Sequence, residues 1–184
     1  MSIGVSYAQA SLYLPISIPA GTRIAARGQS GYTAAAVVNI NIVGVTKGFL
    51  LQSYQRSTTY GADTVNTEGT ELAVDGTVHT KGAYTEIVSA TTSEIKYLIV
   101  DLHWSKLPTS ATRSFLIDIA VGGEGSEQDF ITNLVARATS HETILPTTFC
   151  VPVSIPAGSR LSARAQQSTN TAGYTMHLTL HGLS

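Results

Sequence analysis

Leu14-Pro15-Ile16-Ser17-Ile18-Pro19-Ala20-Gly21-Thr22-Arg23-Ile24-Ala25-Ala26-Arg27-Gly28-Gln29 returns later in the chain as Val151-Pro152-Val153-Ser154-Ile155-Pro156-Ala157-Gly158-Ser159-Arg160-Leu161-Ser162-Ala163-Arg164-Ala165-Gln166. Ten of the sixteen positions are identical. The other six mostly exchange one apolar or small residue for another. In each copy apolar and polar residues alternate, break at Pro-Ala-Gly and resume, which reads as strand, turn, strand. Ile18-Pro19-Ala20-Gly21, with Pro second and Gly fourth, has the chemistry of a type I turn. The phrase therefore predicts a reused β-hairpin, and it points to architecture before chemistry.

Outward from the first copy, Leu12 to Ile18 and Thr22 to Gln29 are predicted strands, followed by a β-branched run over Ala35 to Val43. Pro15 lacks an N–H for a ladder, which suits an edge strand or a strand start. Gly31-Tyr32-Thr33 recurs as Gly173-Tyr174-Thr175, and both copies close on a strand ending in glycine, Gly44 and Gly182. The repeat thus extends to a predicted three-strand meander. Between the copies, Tyr84 to Ser89, Lys96 to His103 and Phe115 to Val121 read as strands, and Phe130 to Val135 as a short one. Ser57 to Thr80, rich in Thr, Gly and Asp, reads as a long loop with one short strand near Leu72 to Val74. No segment sustains helical periodicity. The expectation is an all-β protein: an antiparallel β-sandwich or jelly-roll-like domain over residues 49–184, with an extra N-terminal β-meander over residues 1–48. Three strands bury too little to stand alone, so the N-terminal piece is expected to add to the sandwich or to a neighbouring subunit.

Composition narrows the function classes. The chain has 184 residues, of which 43% are apolar and only 12% charged. A surface so poor in charge loses little when another protein covers it. A formal net charge of −1 gives no general attraction to nucleic acid or to an anionic membrane. Cys150 is the single cysteine, so no intrachain disulfide forms, which fits assembly in a reducing cytoplasm. Residues 1–9 lack the pattern of a signal peptide, and no apolar run approaches the length of a membrane span.

Few residues suggest chemistry. Arg23 with Arg27, and Arg160 with Arg164, stand four apart, roughly 13 Å along one face of a strand. They could form basic rows for a partner's carboxylates or for an acidic sugar, or cover apolar surface with their stems and bond loop carbonyls. With Tyr13, Tyr32 and Tyr174 they are the interface candidates. His177 and His181 are too far apart on a strand to share one ion, and His79, His103 and His141 have no partner at ligand spacing. Gly122-Gly123-Glu124-Gly125-Ser126-Glu127 lacks the Lys-Ser/Thr ending of a phosphate loop and reads as a turn. Asp101, Asp118, Glu124, Glu127 and Asp129 supply carboxylates for a glycosidase pair, yet nothing selects two of them. Trp104 reads as core before sugar platform. No catalytic residue, cofactor or metal site is expected.

Tyr84-Thr85-Glu86-Ile87-Val88-Ser89, Phe115-Leu116-Ile117-Asp118-Ile119-Ala120-Val121-Gly122, Gly125-Ser126-Glu127 and Ile155-Pro156-Ala157-Gly158-Ser159-Arg160-Leu161-Ser162-Ala163-Arg164 follow one another in that order. Together they resemble the β-rich structural proteins, decoration or tail-associated, of tailed bacteriophages. The likeness covers about Tyr84 to Ser184 as one copy and Leu12 to Gly44 as the end of another. The resemblance implies complete copies, sometimes in tandem, whereas this chain opens on a partial one.

The expected function is a non-enzymatic virion protein on the capsid surface, a cement that clamps neighbouring capsomers. Its expected partners are the major capsid protein and itself, as a homotrimer, with no nucleic acid and no membrane. The alternative is a tail fibre or receptor-binding module holding host polysaccharide, and the third option a glycan-degrading enzyme.

Overall fold

Alternation along Phe115, Ile117 and Ile119 sets one face of a strand against the core, where each of the three is at most 1% exposed. Leu98, Val100 and Leu102 do the same from an opposing sheet, and all three are fully buried. The computed structural model describes residues 14–28, 42, 54–66, 68–72, 74, 77–106, 113–138, 147–169 and 175–184. The described residues form nine strands and no helix: β1 (Ser57–Tyr60), β2 (Thr70–Leu72), β3 (Thr85–Val88), β4 (Ile95–Lys106), β5 (Arg113–Val121), β6 (Gln128–Ala138), β7 (Thr147–Ile155), β8 (Leu161–Gln167) and β9 (Thr175–Leu183). The all-β sandwich expected from the sequence is the fold observed.

One sheet runs β1-β9-β4-β7, with β2 also paired to β9; the other runs β3-β8-β5-β6. Every strand pair is antiparallel. The pairing is nested: β5 with β6, β4 with β7, β3 with β8, and β1 and β2 with β9. Such nesting describes one long two-stranded ribbon rolled up, so that β4 also meets β9 and β5 also meets β8. This is the winding of a jelly roll. Leu161, Ala163 and Ala165 on β8 face Leu178 and Leu180 on β9 across a dry interior. Trp104 packs against that core, its ring 4.5 Å from Phe115, as its apolar setting suggests.

The C-terminal copy of the phrase is not a hairpin, and its strands do not form a meander. In the C-terminal copy β7 pairs with β4 in one sheet, while β8 pairs with β3 and β5 in the other. Period-two alternation tells which face is buried but not which strand lies alongside, so a crossing between sheets reads like a reversal within one. Ile155 and Leu161 then enter the core from opposite sides, 3% and 0% exposed. The crossing is tied to the parallel crossing from β3 to β4 by Thr91. Its N–H donates to the Ser159 carbonyl (2.8 Å) and its carbonyl accepts from Gly158 N–H (2.8 Å). Its hydroxyl donates to the Pro156 carbonyl (2.9 Å) and accepts from Ser159 N–H (3.1 Å).

The turn itself falls one residue later than expected. Thr22 N–H donates to the Pro19 carbonyl at 3.2 Å, which makes Gly21 the third residue. Gly21 has φ 82° and Gly158 φ 79°, the left-handed value that the third position of a type II turn requires.

Two strands lie in the stretch read as mostly loop: β1, which the composition hid, and β2, close to the short strand expected near Leu72. Their inward residues Tyr60 and Leu72 are buried. Val74 adds an isolated bridge to Ala165. Of the expected N-terminal strands, Ile16 makes a single parallel bridge to Tyr54, flanked by Tyr54 N–H to the Pro15 carbonyl and Ser17 N–H to the Tyr54 carbonyl, each 2.9 Å. Thr22 to Gly28 pairs with none of the described strands. Apart from Ile42, the run Ala35 to Val43 lies outside the described residues.

Candidate functional site

With Leu161, Ala163 and Ala165 turned inward, alternation along β8 turns Ser162, Arg164 and Gln166 to the outer face of the four-stranded sheet, with Arg160 preceding them on that side. Cross-strand register then chooses the partners. Asp118 of β5 stands opposite Arg164, and Glu86 of β3 stands opposite Ser162, beside Arg160. Arg160 binds Glu86 (Nε to Oε2, 2.7 Å), Glu127 (Nη1 to Oε1, 3.1 Å) and the Gly122 carbonyl (3.1 Å). It thereby fastens β3 to the turn between β5 and β6.

Arg164 donates to Asp118 Oδ2 (2.9 Å) and Asp129 Oδ2 (2.8 Å), and its guanidinium lies 4.5 Å from the centre of the Tyr84 ring. Asp118 is the hub of the group. Its side chain is 4% exposed, and it accepts from Lys81 Nζ (2.7 Å), Arg164 and the Asn133 amide (2.9 Å). Asn133 adopts φ 55° where the β5–β6 register shifts, which turns its N–H onto the carboxylate. Burial alone would raise the Asp118 pKa. The hydrogen bonds from Lys81, Asn133 and Arg164 outweigh it and hold the carboxyl below its ordinary value. Tyr84 is pushed up to about 12, first by burial and then by donating to Asp129 Oδ1 at 2.6 Å.

This arrangement is a clamp. Asp118, Glu127 and Asp129, weighed in the sequence as catalytic carboxylates, are each bound to arginine, and Asp118 also to lysine. Asp118 and Asp129 share Arg164 in place of flanking an open cleft. Glu124 is exposed in the β5–β6 turn and makes no ion pair with a described residue. Asp101 lies on the outer face of the other sheet, where it bonds His181 Nε2 (3.0 Å) and accepts from the Thr148 hydroxyl (2.7 Å).

Arg160 and Arg164 are therefore engaged within the chain, with a loop carbonyl among their partners. Their counterparts Arg23 and Arg27 stand exposed on the N-terminal segment. Tyr13, Tyr32 and Tyr174 lie outside the described residues, as does His141. Sequence reading missed Lys81, Tyr84 and Thr91 as parts of the site, since each acts on residues more than thirty positions away.

The five-stranded sheet carries a second polar group on its outer face. His103 is the cross-strand neighbour of His177, and their rings stack with centroids 5.2 Å apart. His177 also lies 3.5 Å from Glu68 and 3.2 Å from the Gly69 carbonyl. His181 meets Thr59 Oγ1 at 2.9 Å through Nδ1. Hydroxyl, imidazole and Asp101 carboxylate thus line up, but neither groove described in the chain contains them.

Burial, and next the neighbouring His177, lower the His103 pKa. Stability from a neutral His103 is complete above the unfolded value of about 6.5. It is lost as the pH falls through that value toward the lower folded one. Thermal midpoints measured across this window should fall on acidification, and His103→Gln should flatten the fall. An unchanged slope in the variant would remove His103 as its source.

The fold and the clamp define a jelly-roll protein in which Arg160 and Arg164 serve the architecture. Compared with known proteins, the sequence matches no family model and no curated protein.

Proposed function

We propose that this chain is a non-enzymatic structural protein of a tailed-bacteriophage virion, a capsid cement that clamps neighbouring capsomers. One observation carries the reading: Ser159, Arg160 and Arg164 of the Ile155–Arg164 phrase hold the jelly roll together. Ser159 Oγ donates to the Pro156 carbonyl at 2.8 Å, and Arg160 and Arg164 close the clamp on four carboxylates. The phrase behind the phage resemblance thus builds a scaffold and leaves its outer loops to make contacts. Low charge suits such a surface, because docking over capsid joints then desolvates few ions. Stabilisation would come from buried interface area, of the order of 1,200–2,000 Å² for a specific contact.

Quantitative mass spectrometry of purified virions tests this. A copy number in the hundreds, with antibody label over the head, is expected. A handful of copies confined to the tail would overturn it in favour of a receptor-binding module, for which binding to host glycans is the next measurement.

A further inference from the structure

Ser17 to Gly28 is exposed at every residue, whereas in its near-copy at Ser154 to Ala165 the residues Ile155, Leu161, Ser162, Ala163 and Ala165 are buried. Ile18 is 50% exposed where Ile155 is 3%, and Ile24 is 51% exposed where Leu161 is fully buried. An extended segment with the pattern of a buried strand is complete only when something covers it. Its root is fixed, since Pro15 is buried and Ile16 bridges to Tyr54 on the outer face of the five-stranded sheet. Beyond that root, eleven residues can reach roughly 36 Å.

Charge indicates the partner. Residues 1–56 contain Arg23, Arg27, Lys47 and Arg56 and no acidic residue. The remaining seven basic and all 12 acidic residues lie beyond, a net of −5 on residues 57–184. A basic arm and an acidic body on one chain are complementary between copies. The body also offers a seat. β7 ends one sheet and β6 the other, and a groove of about 240 Å³ opens between them. Val121, Phe130, Val151, Val153, Ile155 and Pro156 are among its lining residues. The β5–β6 turn that begins after Val121 carries at its tip the exposed Glu124, which makes no ion pair with a described residue.

We infer that Ile18 to Gly28 of one copy lies along the free edge of β7 in a second copy, with Ile18 and Ile24 in the groove and Arg23 at Glu124. An added strand of this kind gains main-chain hydrogen bonds from the edge and side-chain burial from the groove. Arm and groove are different surfaces, so the contact joins unlike patches of two copies, and it closes as a ring where the rotation between copies allows. This deepens the self-association expected from the sequence and requires no capsid, so it and the proposed function stand or fall separately.

The test uses full-length protein in solution with Cys150→Ser as background. Chains carrying Ile24→Cys and chains carrying Ser154→Cys are mixed and oxidised. A covalent heterodimer is expected, and Ile18→Asp on the arm chain should abolish it. Arg23→Glu should weaken association roughly tenfold, and Glu124→Arg on the partner should restore it. Ile18, Arg23, Ser154 and Glu124 are all exposed, so unfolding midpoints should match the parent and show that the variants fold. Absence of the heterodimer overturns the inference. So does a chain with both cysteines that oxidises only to a closed monomer, which would place the arm in its own groove.

Discussion

Asp118→Ala is expected to lower the free energy of unfolding by about 3 kcal/mol, read from urea denaturation at neutral pH. The substitution removes the one acceptor shared by Lys81, Arg164 and the Asn133 amide. Asp118 is buried, but the Lys81 and Arg164 side chains keep 19% and 29% of their surface. Water can therefore recover part of their hydration, which places the loss at the low end for a broken buried pair. Glu86→Ala is the contrast. That carboxylate is 49% exposed, and its pairing with Arg160 should contribute less than about 1 kcal/mol. The pH dependence has a definite sign. A depressed folded pKa means that the Asp118 contribution is full above the unfolded value of about 3.9. It is lost as the pH falls through the folded value, so parent and variant should converge in acid. A constant gap down to low pH would show that the loss comes from packing and not from charge.

Leu161→Ala should cost about 2–5 kcal/mol, while Ile24→Ala at the matching position should leave the stability of the isolated chain unchanged. Leu161 is fully buried between the sheets, whereas half the surface of Ile24 meets solvent. Deleting the same kind of side chain removes core contacts in one case and none in the other. Equal losses in dilute protein would mean that the N-terminal segment packs on its own body. Any cost of Ile24→Ala should instead emerge as the protein is concentrated and copies meet.

Strand positions and buried faces were legible because each needs only local alternation, as in Phe115 to Val121. Strand neighbours were not. Whether β8 lies beside β7 or across the sandwich depends on β3 and β5, which alternation does not mention. β1 went unread because Ser57-Thr58-Thr59-Tyr60 places only Tyr60 firmly in the core and draws its order from β9. β6 extends past the short run expected because its hairpin with β5 continues as far as Arg113 and Ala138. For the clamp, the sequence supplied the two arginines and their spacing. Their carboxylates come from strands and a turn 33 to 74 residues away, and only the pairing of the strands brings them together. The Pro-Ala-Gly turn was legible as a turn, and the helper that locks it, Thr91, carried no local signal at all.

Nested pairing also sets the order in which the chain can fold. Of the strands that pair with each other, only β5 and β6 are joined by a short connection, residues 122–127, so their contacts cost the least loop entropy. Each further pair encloses a longer loop, and the outermost joins Ser57 to Leu183. Non-local sheets of this kind fold in milliseconds to seconds, where local helical bundles take microseconds to milliseconds. The ribbon therefore zips from the β5–β6 tip outward, and β1 and β2 wait for β9 to arrive. On the ribosome, one edge of β4 stays unpaired until the last strand has been made.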